Sequence, residues 1–193
     1  MKNHIMVELM SQLTTLTDEE KLDIANSFPV KTFEKGHFLL KEEQIAKEGY
    51  FIVSGCIREF KLFNGEDKTT AFYTENQSVI NFDSISNDSP SKINYICEEK
   101  STVAIVSTKN EKALYLKHPR FEVYCRTGLE QMMGEKQEQL SEFISLKPEQ
   151  RYLKLQKERP GLINRVPQYH IASFLGIKPE TLSRIRARLG RYK

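Results

Sequence analysis

The sequence predicts an α+β chain in which short strands come first and a group of helices comes last. Three observations carry that expectation. Between Phe28 and about Ser107, short apolar runs alternate with turn residues. Residues 119–144 change texture, with apolar side chains recurring at steps of three, four or seven. From Ser145 onward, three short amphipathic segments are set off by prolines. The 193 residues are 39% hydrophobic and 28% charged, with a mean hydropathy of −0.52, which suits a water-soluble globular chain. No stretch approaches the ~18 apolar residues of a membrane span.

Each element has its own signal. In residues 1–27, Thr17 and Glu20 form a capping box ahead of Leu22, Ile24 and Ala25, so a helix is expected there. The same N-terminal stretch lacks the unbroken apolar core of a signal peptide. Gly49-Tyr-Phe-Ile-Val-Ser-Gly55 reads as a strand bracketed by glycines. Cys56–Phe63 alternates and meets Asn64-Gly65, a strong two-residue hairpin signal, then returns through Lys68–Tyr73. Ile93–Cys97 and Thr102–Ser107 add strands, and the spacing suggests a small barrel or sandwich.

The stripe Phe121, Cys125, Leu129, Met132, Leu140, Phe143 and Ile144 either packs on its own chain or forms a seam with a second copy. Beyond it, helices are expected over about Pro148–Glu158, about Gln168–Leu175, and from near Pro179 to Leu189.

Charge is split sharply along the chain. Residues 1–144 hold 17 Lys and Arg against 23 Asp and Glu, a balance of −6; residues 145–193 hold 12 against 3, a balance of +9. The basic segment is also rich in apolar residues, from Leu153 to Leu189, so it folds and is no solvated tail. An acidic body with a folded basic end suits a protein that presents one end to a polyanion.

Inside that segment, Gly176 lies between Leu175 and Ile177, where a tight turn between two helices needs a left-handed residue. The following segment carries Glu180, Thr181, Ser183 and Arg184 on one side. A carboxylate can accept from the cytosine amino group, and a guanidinium can grip guanine O6 and N7. This points to a helix-turn-helix that reads DNA. A basic end that docks an acidic protein partner, beside an effector-binding module, is the alternative.

The arrangement resembles the Crp/Fnr family of transcription regulators. The resemblance runs from about Leu13 to Leu189 and rests most firmly on Arg151-Tyr152, on Ile171-Ala172-Ser173 with Leu175-Gly176-Ile177, and on Glu180-Thr181-Leu182-Ser183-Arg184. Lys35-Gly36, Phe51–Gly55 and Asn64-Gly65 match more loosely.

By resemblance, residues 1–118 form a cyclic-nucleotide-binding-like β-roll (double-stranded β-helix, jelly-roll-like) with an N-terminal helix. Residues 119–144 form a connecting and dimerisation helix, and residues 145–193 a helix-turn-helix domain. By the same resemblance Glu180 and Arg184 take the base-reading positions; Thr181 and Ser183, on the same exposed side, are counted with them, and Gln168, Lys178, Arg186, Arg188, Arg191 and Lys193 are the expected phosphate contacts. Phe121, Cys125, Leu129 and Met132 line the dimer helix, and Asn81, Asp83, Ser84 and Lys92 an effector pocket. The implied partners are double-stranded DNA, a second copy of the chain, RNA polymerase and an unknown small-molecule effector, in the cytoplasm and away from membranes.

Two departures qualify the resemblance. Residues 78–94 lack the glycine, glutamate and arginine of a cyclic-nucleotide phosphate cassette, and Asp83 and Asp88 would repel a phosphate, which argues against cyclic AMP. Only four residues follow Leu189, too few for a full β-hairpin wing.

Cys56, Cys97 and Cys125 are odd in number and scattered, which argues against disulfides and an iron–sulfur cluster and fits a reducing compartment. His4, His37, His118 and His170 share no metal-ligand spacing, and haem is not expected either. No P-loop, His-Glu-x-x-His or Gly-x-Ser-x-Gly occurs, so no enzyme is expected.

Overall fold

The computed structural model describes residues 4–190. Two helices open the chain, α1 (Ile5–Leu13) and α2 (Asp18–Ser27). The second is closed by the expected box: Glu20 N–H donates to Thr17 Oγ1 at 3.2 Å, and Thr17 N–H donates back to the Glu20 carboxylate at 2.8 Å. Eight strands follow: β1 (Val30–Phe33), β2 (Phe38–Leu40), β3 (Glu48–Ser54), β4 (Ile57–Phe63), β5 (Glu66–Tyr73), β6 (Ser78–Val79), β7 (Asn94–Cys97) and β8 (Ser101–Ser107). A short helix, α3 (Phe82–Asn87), interrupts them. They form two four-stranded antiparallel sheets, ordered β1-β8-β3-β6 and β2-β7-β4-β5.

The two sheets bury one core between them. Tyr50, Ile52, Val79, Val103 and Ile105 come from one sheet, and Ile57, Ala71, Tyr73, Tyr95 and Cys97 from the other. Phe51 and Ala104 point the opposite way from their neighbours, into a second core under α1, α2, α4 (Thr108–Lys117) and the start of α5 (Arg120–Ser145). β3 is covered on both faces, which is why its sequence reads as a continuous apolar run rather than an alternation. The β4–β5 hairpin turns at Asn64-Gly65 with φ of 52° and 80°, the pair of positive values a type I′ turn requires. Gly55 is needed for closeness as well as for its φ of +110°: a Cβ there would lie 2.6 Å from the Ser101 backbone.

The long helix runs where the seven-residue pattern predicts, but its first apolar residue does not face outward. Phe121 is completely buried against the N-terminal helices, and Arg120 beside it reaches Glu20 at 2.7 Å and the Thr15 carbonyl at 2.9 Å. Phe121 is therefore removed from the expected seam, while Cys125 and Met132 are half-buried. The exposed apolar residues of α5 include Val123 and Phe143 as well as Leu129, Met133, Leu140 and Ile144, the last four at steps of four, seven and four. Four helices complete the described residues: α6 (Pro148–Glu158), α7 (Leu162–Arg165), α8 (Gln168–Phe174) and α9 (Pro179–Gly190).

Candidate nucleic-acid interface

The four C-terminal helices close on a shared apolar cluster. Tyr152 and Leu155 of α6, Leu162 and Ile163 of α7, Ile171 and Ala172 of α8, and Leu182 and Ile185 of α9 are all buried in it. Ala172 is fully buried, and its small side chain allows the close approach of two helices. The turn between α8 and α9 has Schellman geometry. Gly176 N–H donates to the Ser173 carbonyl and Ile177 N–H to the Ala172 carbonyl, each at 3.0 Å, with Gly176 at a φ of +69°.

Arg151 secures this turn from outside. Its guanidinium donates to the Leu175 carbonyl at 2.8 Å and to the Phe143 carbonyl at 2.6 Å, and it stacks on the Phe143 ring. One side chain thus joins the turn to the end of α5. That physical role explains why Arg151-Tyr152 stands out in the sequence.

α9 is held by Leu182 and Ile185, which leaves its opposite face free. Glu180, Ser183 and Arg184 are exposed and Thr181 is half-buried. Arg184 reaches only the Glu180 backbone carbonyl, at 3.4 Å, and among the described residues no ion pair joins it to a carboxylate. An ordinary i,i+4 pair with Glu180 is therefore not formed. Thr181, Arg184, Ile185 and Arg188 line a shallow depression of about 430 Å³.

The expected phosphate-contact residues divide. Lys178 and Arg186 are exposed. Arg188 is paired with Glu149 of α6, and Gln168 donates to the Ile163 carbonyl at 3.3 Å. Arg191 and Lys193 lie outside the described residues.

The segment expected to hold an effector is engaged in its own fold. Asn81 caps α3 by accepting from Ser84 N–H and donates to Ser91 Oγ at 2.9 Å. Ser84 Oγ accepts from Ala46 N–H at 2.8 Å and donates to the Ser89 carbonyl at 2.6 Å. Asp83 and Lys92 are exposed. Asn81 and Ser84 thus have their hydrogen-bonding groups turned to neighbours within the chain, which does not suit a phosphate cradle. Burial pushes the thiols of Cys56 and Cys97 up, to about 12 and about 11, so both stay protonated at neutral pH.

One set of residues was not anticipated from sequence. Arg159 and Arg165 point away from the exposed face of α9 and onto the sandwich, meeting the Phe72 carbonyl and the carboxylates of Glu75 and Glu99. The charge count assigns the basic segment to a polyanion, and periodicity cannot show that two of its arginines face the acidic half of their own chain.

No protein-family model matches the sequence, and no curated protein does. Solved structures do. FixK2 from Bradyrhizobium japonicum superposes with a TM-score of 0.68 at 17% identity, over 86% of this chain and 85% of that one. The c-di-GMP responsive global regulator CLP from Xanthomonas campestris gives 0.67 at 12% identity, over 91% and 92%. A CooA mutant from Carboxydothermus hydrogenoformans gives 0.67 at 12% identity, over 100% and 86%. The chain has a Crp/Fnr-like fold, with a β-sheet domain, a long helix and further helices.

Proposed function

We propose that this protein is a sequence-specific, homodimeric DNA-binding transcription regulator. The observation that carries the reading is the free face of α9. Glu180, Thr181, Ser183 and Arg184 stand together at the start of a helix whose other side is anchored, and Arg184 has no carboxylate partner among the described residues. A carboxylate near phosphates is costly on a purely electrostatic surface, but it serves as an acceptor for a base amino group. The basic balance of residues 145–193 supplies attraction to the backbone.

The seam with a second copy is assigned to Leu129, Met133, Leu140 and Ile144 of α5, with Met132 beside them. A symmetric pair of chains offers two recognition helices, and the operator is then an inverted repeat with half-sites roughly 34 Å apart. Cyclic AMP is not the effector, since residues 78–94 hold no arginine and Asn81 and Ser84 bond within the chain. RNA polymerase remains the partner implied by resemblance, and the cytoplasm the implied compartment.

Sequencing the genomic DNA retained by the purified protein tests the reading. An enriched inverted repeat with a fixed half-site spacing is expected. Retention without an enriched motif, together with tight binding to an acidic protein, would favour the docking alternative and reject this one.

A further inference from the structure

The helical unit α6–α9 does not hang free from α5. It is seated on the sandwich through a contact in which several polar groups are paired across the seam. Arg165, at the end of α7, donates to both oxygens of Glu75 at 2.8 Å, and its Nε donates to Glu99 at 3.0 Å. Glu75 is itself fixed, because Gly55 N–H donates to it at 2.9 Å. Arg165 holds its carboxyl well below the usual range, at about 2. Arg159 donates to the Phe72 carbonyl at 3.0 Å and to Thr74 Oγ1 at 3.3 Å.

The seat is the outer edge of a sheet. β5 is the last strand in its sheet, and the Thr69 N–H points outward, where it donates to Ser173 Oγ of α8 at 2.9 Å. Thr69 Oγ1 in turn accepts from Arg58, a buried side chain that also holds Asp67 at 2.6 Å and Glu98 at 2.5 Å. His170 of α8 faces the same Glu98 at 3.6 Å. Apolar groups contribute too: Phe174 is edge-on to Phe72, and Phe72 and Cys56 are buried in the same cluster as the cores of α6–α9. Contacts between domains usually permit relative motion unless they are large and apolar, and at this one a set of ion pairs and hydrogen bonds lies beside the apolar contact.

We propose that this contact is an intramolecular latch. Arg165, clasped by Glu75 and Glu99, holds α8 along the open edge of β5 and so fixes where α9 points; loss of that clasp, or screening by salt, releases the helical unit from the sandwich. The charge split read from sequence gains a second meaning here, since the acidic half attracts the basic half of the same chain. The latch itself does not depend on the DNA-binding reading, whereas its effect on half-site spacing rests on that reading.

The Thr69 amide reports the latch directly. Its hydrogen exchange is measured by two-dimensional NMR on the full-length protein, with the Ile52 and Val103 amides as internal references for the sandwich core. Charge-assisted hydrogen bonds of this kind correspond to about ten- to a hundredfold in a docking equilibrium. Arg165→Ala should therefore speed Thr69 exchange by at least about tenfold with the core amides unchanged, and raising the ionic strength of the wild-type protein should do the same progressively. Should Arg165→Ala lose core protection, the double variant Glu75→Gln with Glu99→Gln decides. Unchanged Thr69 exchange in that variant and across the salt range would overturn the proposal.

A DNA arm separates the two claims. On a series of operators with altered half-site spacing, the Arg165→Ala variant should tolerate spacings the wild type rejects. Faster Thr69 exchange without any sequence-specific DNA binding would keep the latch and reject the regulator reading.

Discussion

Arg184→Ala is the sharpest test of base reading, because among the described residues the side chain is exposed and pairs with no carboxylate. Arg184 is exposed and among the described residues its hydrogen bond is a long one, 3.4 Å, to the Glu180 carbonyl one turn earlier. Alanine is a better helix former than arginine, so thermal stability should change by less than about 0.5 kcal/mol. Any loss of operator affinity is then a loss of DNA contact. A bidentate guanidinium–guanine pair discriminates by about 1–3 kcal/mol, roughly 5- to 150-fold per half-site, and a symmetric dimer would double the energy to about 2–6 kcal/mol.

Arg188→Ala provides the contrast. It breaks a surface pair with Glu149 whose side chains are 56% and 36% exposed, a contact worth at most about 1 kcal/mol of stability. It should weaken all DNA sequences alike. Binding is measured by fluorescence anisotropy on the operator, on operators changed at each base pair, and on random DNA. Arg184→Ala should flatten the preference at one base pair per half-site. Equal weakening on operator and random DNA would refute the assignment, and with it the reading of α9 as a recognition helix.

Three further outcomes are expected. Leu140→Glu with Ile144→Glu, at positions 62% and 76% exposed, should leave the fold intact and convert a micromolar dimer to monomer by analytical ultracentrifugation; a wild-type monomer with and without DNA would sink the seam. Calorimetry should show no cyclic AMP binding below millimolar, since the missing guanidinium removes on the order of 1.5–3 kcal/mol of charge-assisted contact. Docking should also weaken in mild acid. Burial and the neighbouring Arg58 hold the His170 pKa below its ordinary 6.5 against the opposing pull of Glu98 and Asp67. Its contribution is thus fully present above pH 6.5 and is lost as pH falls through the depressed value. Glu75 acts the same way lower down, between about 4.5 and about 2. Thr69 exchange, corrected for its intrinsic pH dependence, should therefore rise below pH 6.5, and His170→Gln should remove that first step.

The parts of the fold that were legible in the sequence are those set by local chemistry. The Thr17 and Glu20 box, the Asn64-Gly65 turn and the Gly176 turn each depend on a few adjacent residues with unusual backbone demands, and each occurs where expected. Parts that depend on what lies opposite were not legible. α4 has little apolar periodicity, with Leu114 as its buried anchor, so its sequence alone does not announce a helix. Phe121 fits the heptad of α5 as well as Leu129 does. Only the N-terminal helices folding over it, with Arg120 tied to Glu20, turn it inward. In residues 78–94, Asn81 and Ser84 hydrogen-bond within α3 and its flanking loop, pairings that composition does not disclose.

The positive balance of residues 145–193 is the clearest case of a correct count with an incomplete interpretation. Arg151 holds the interhelical turn, Lys154 is paired with Glu142, Arg159 and Arg165 hold the sandwich, and Arg188 meets Glu149. The described cations left facing outward include Lys147, Lys157, Lys178, Arg184 and Arg186. A salt slope proportional to the whole basic excess would overstate the phosphates neutralised, since each contact contributes about −0.9 to the slope of log affinity against log salt. Carboxylates and phosphates also compete for the same guanidinium groups. DNA approaching the basic unit therefore acts against the Glu75 and Glu99 clasp wherever its backbone can reach Arg165. If the latch holds during binding, Glu75→Gln with Glu99→Gln should steepen the salt slope by exposing Arg165. An unchanged slope would place Arg165 beyond the reach of the backbone even when released.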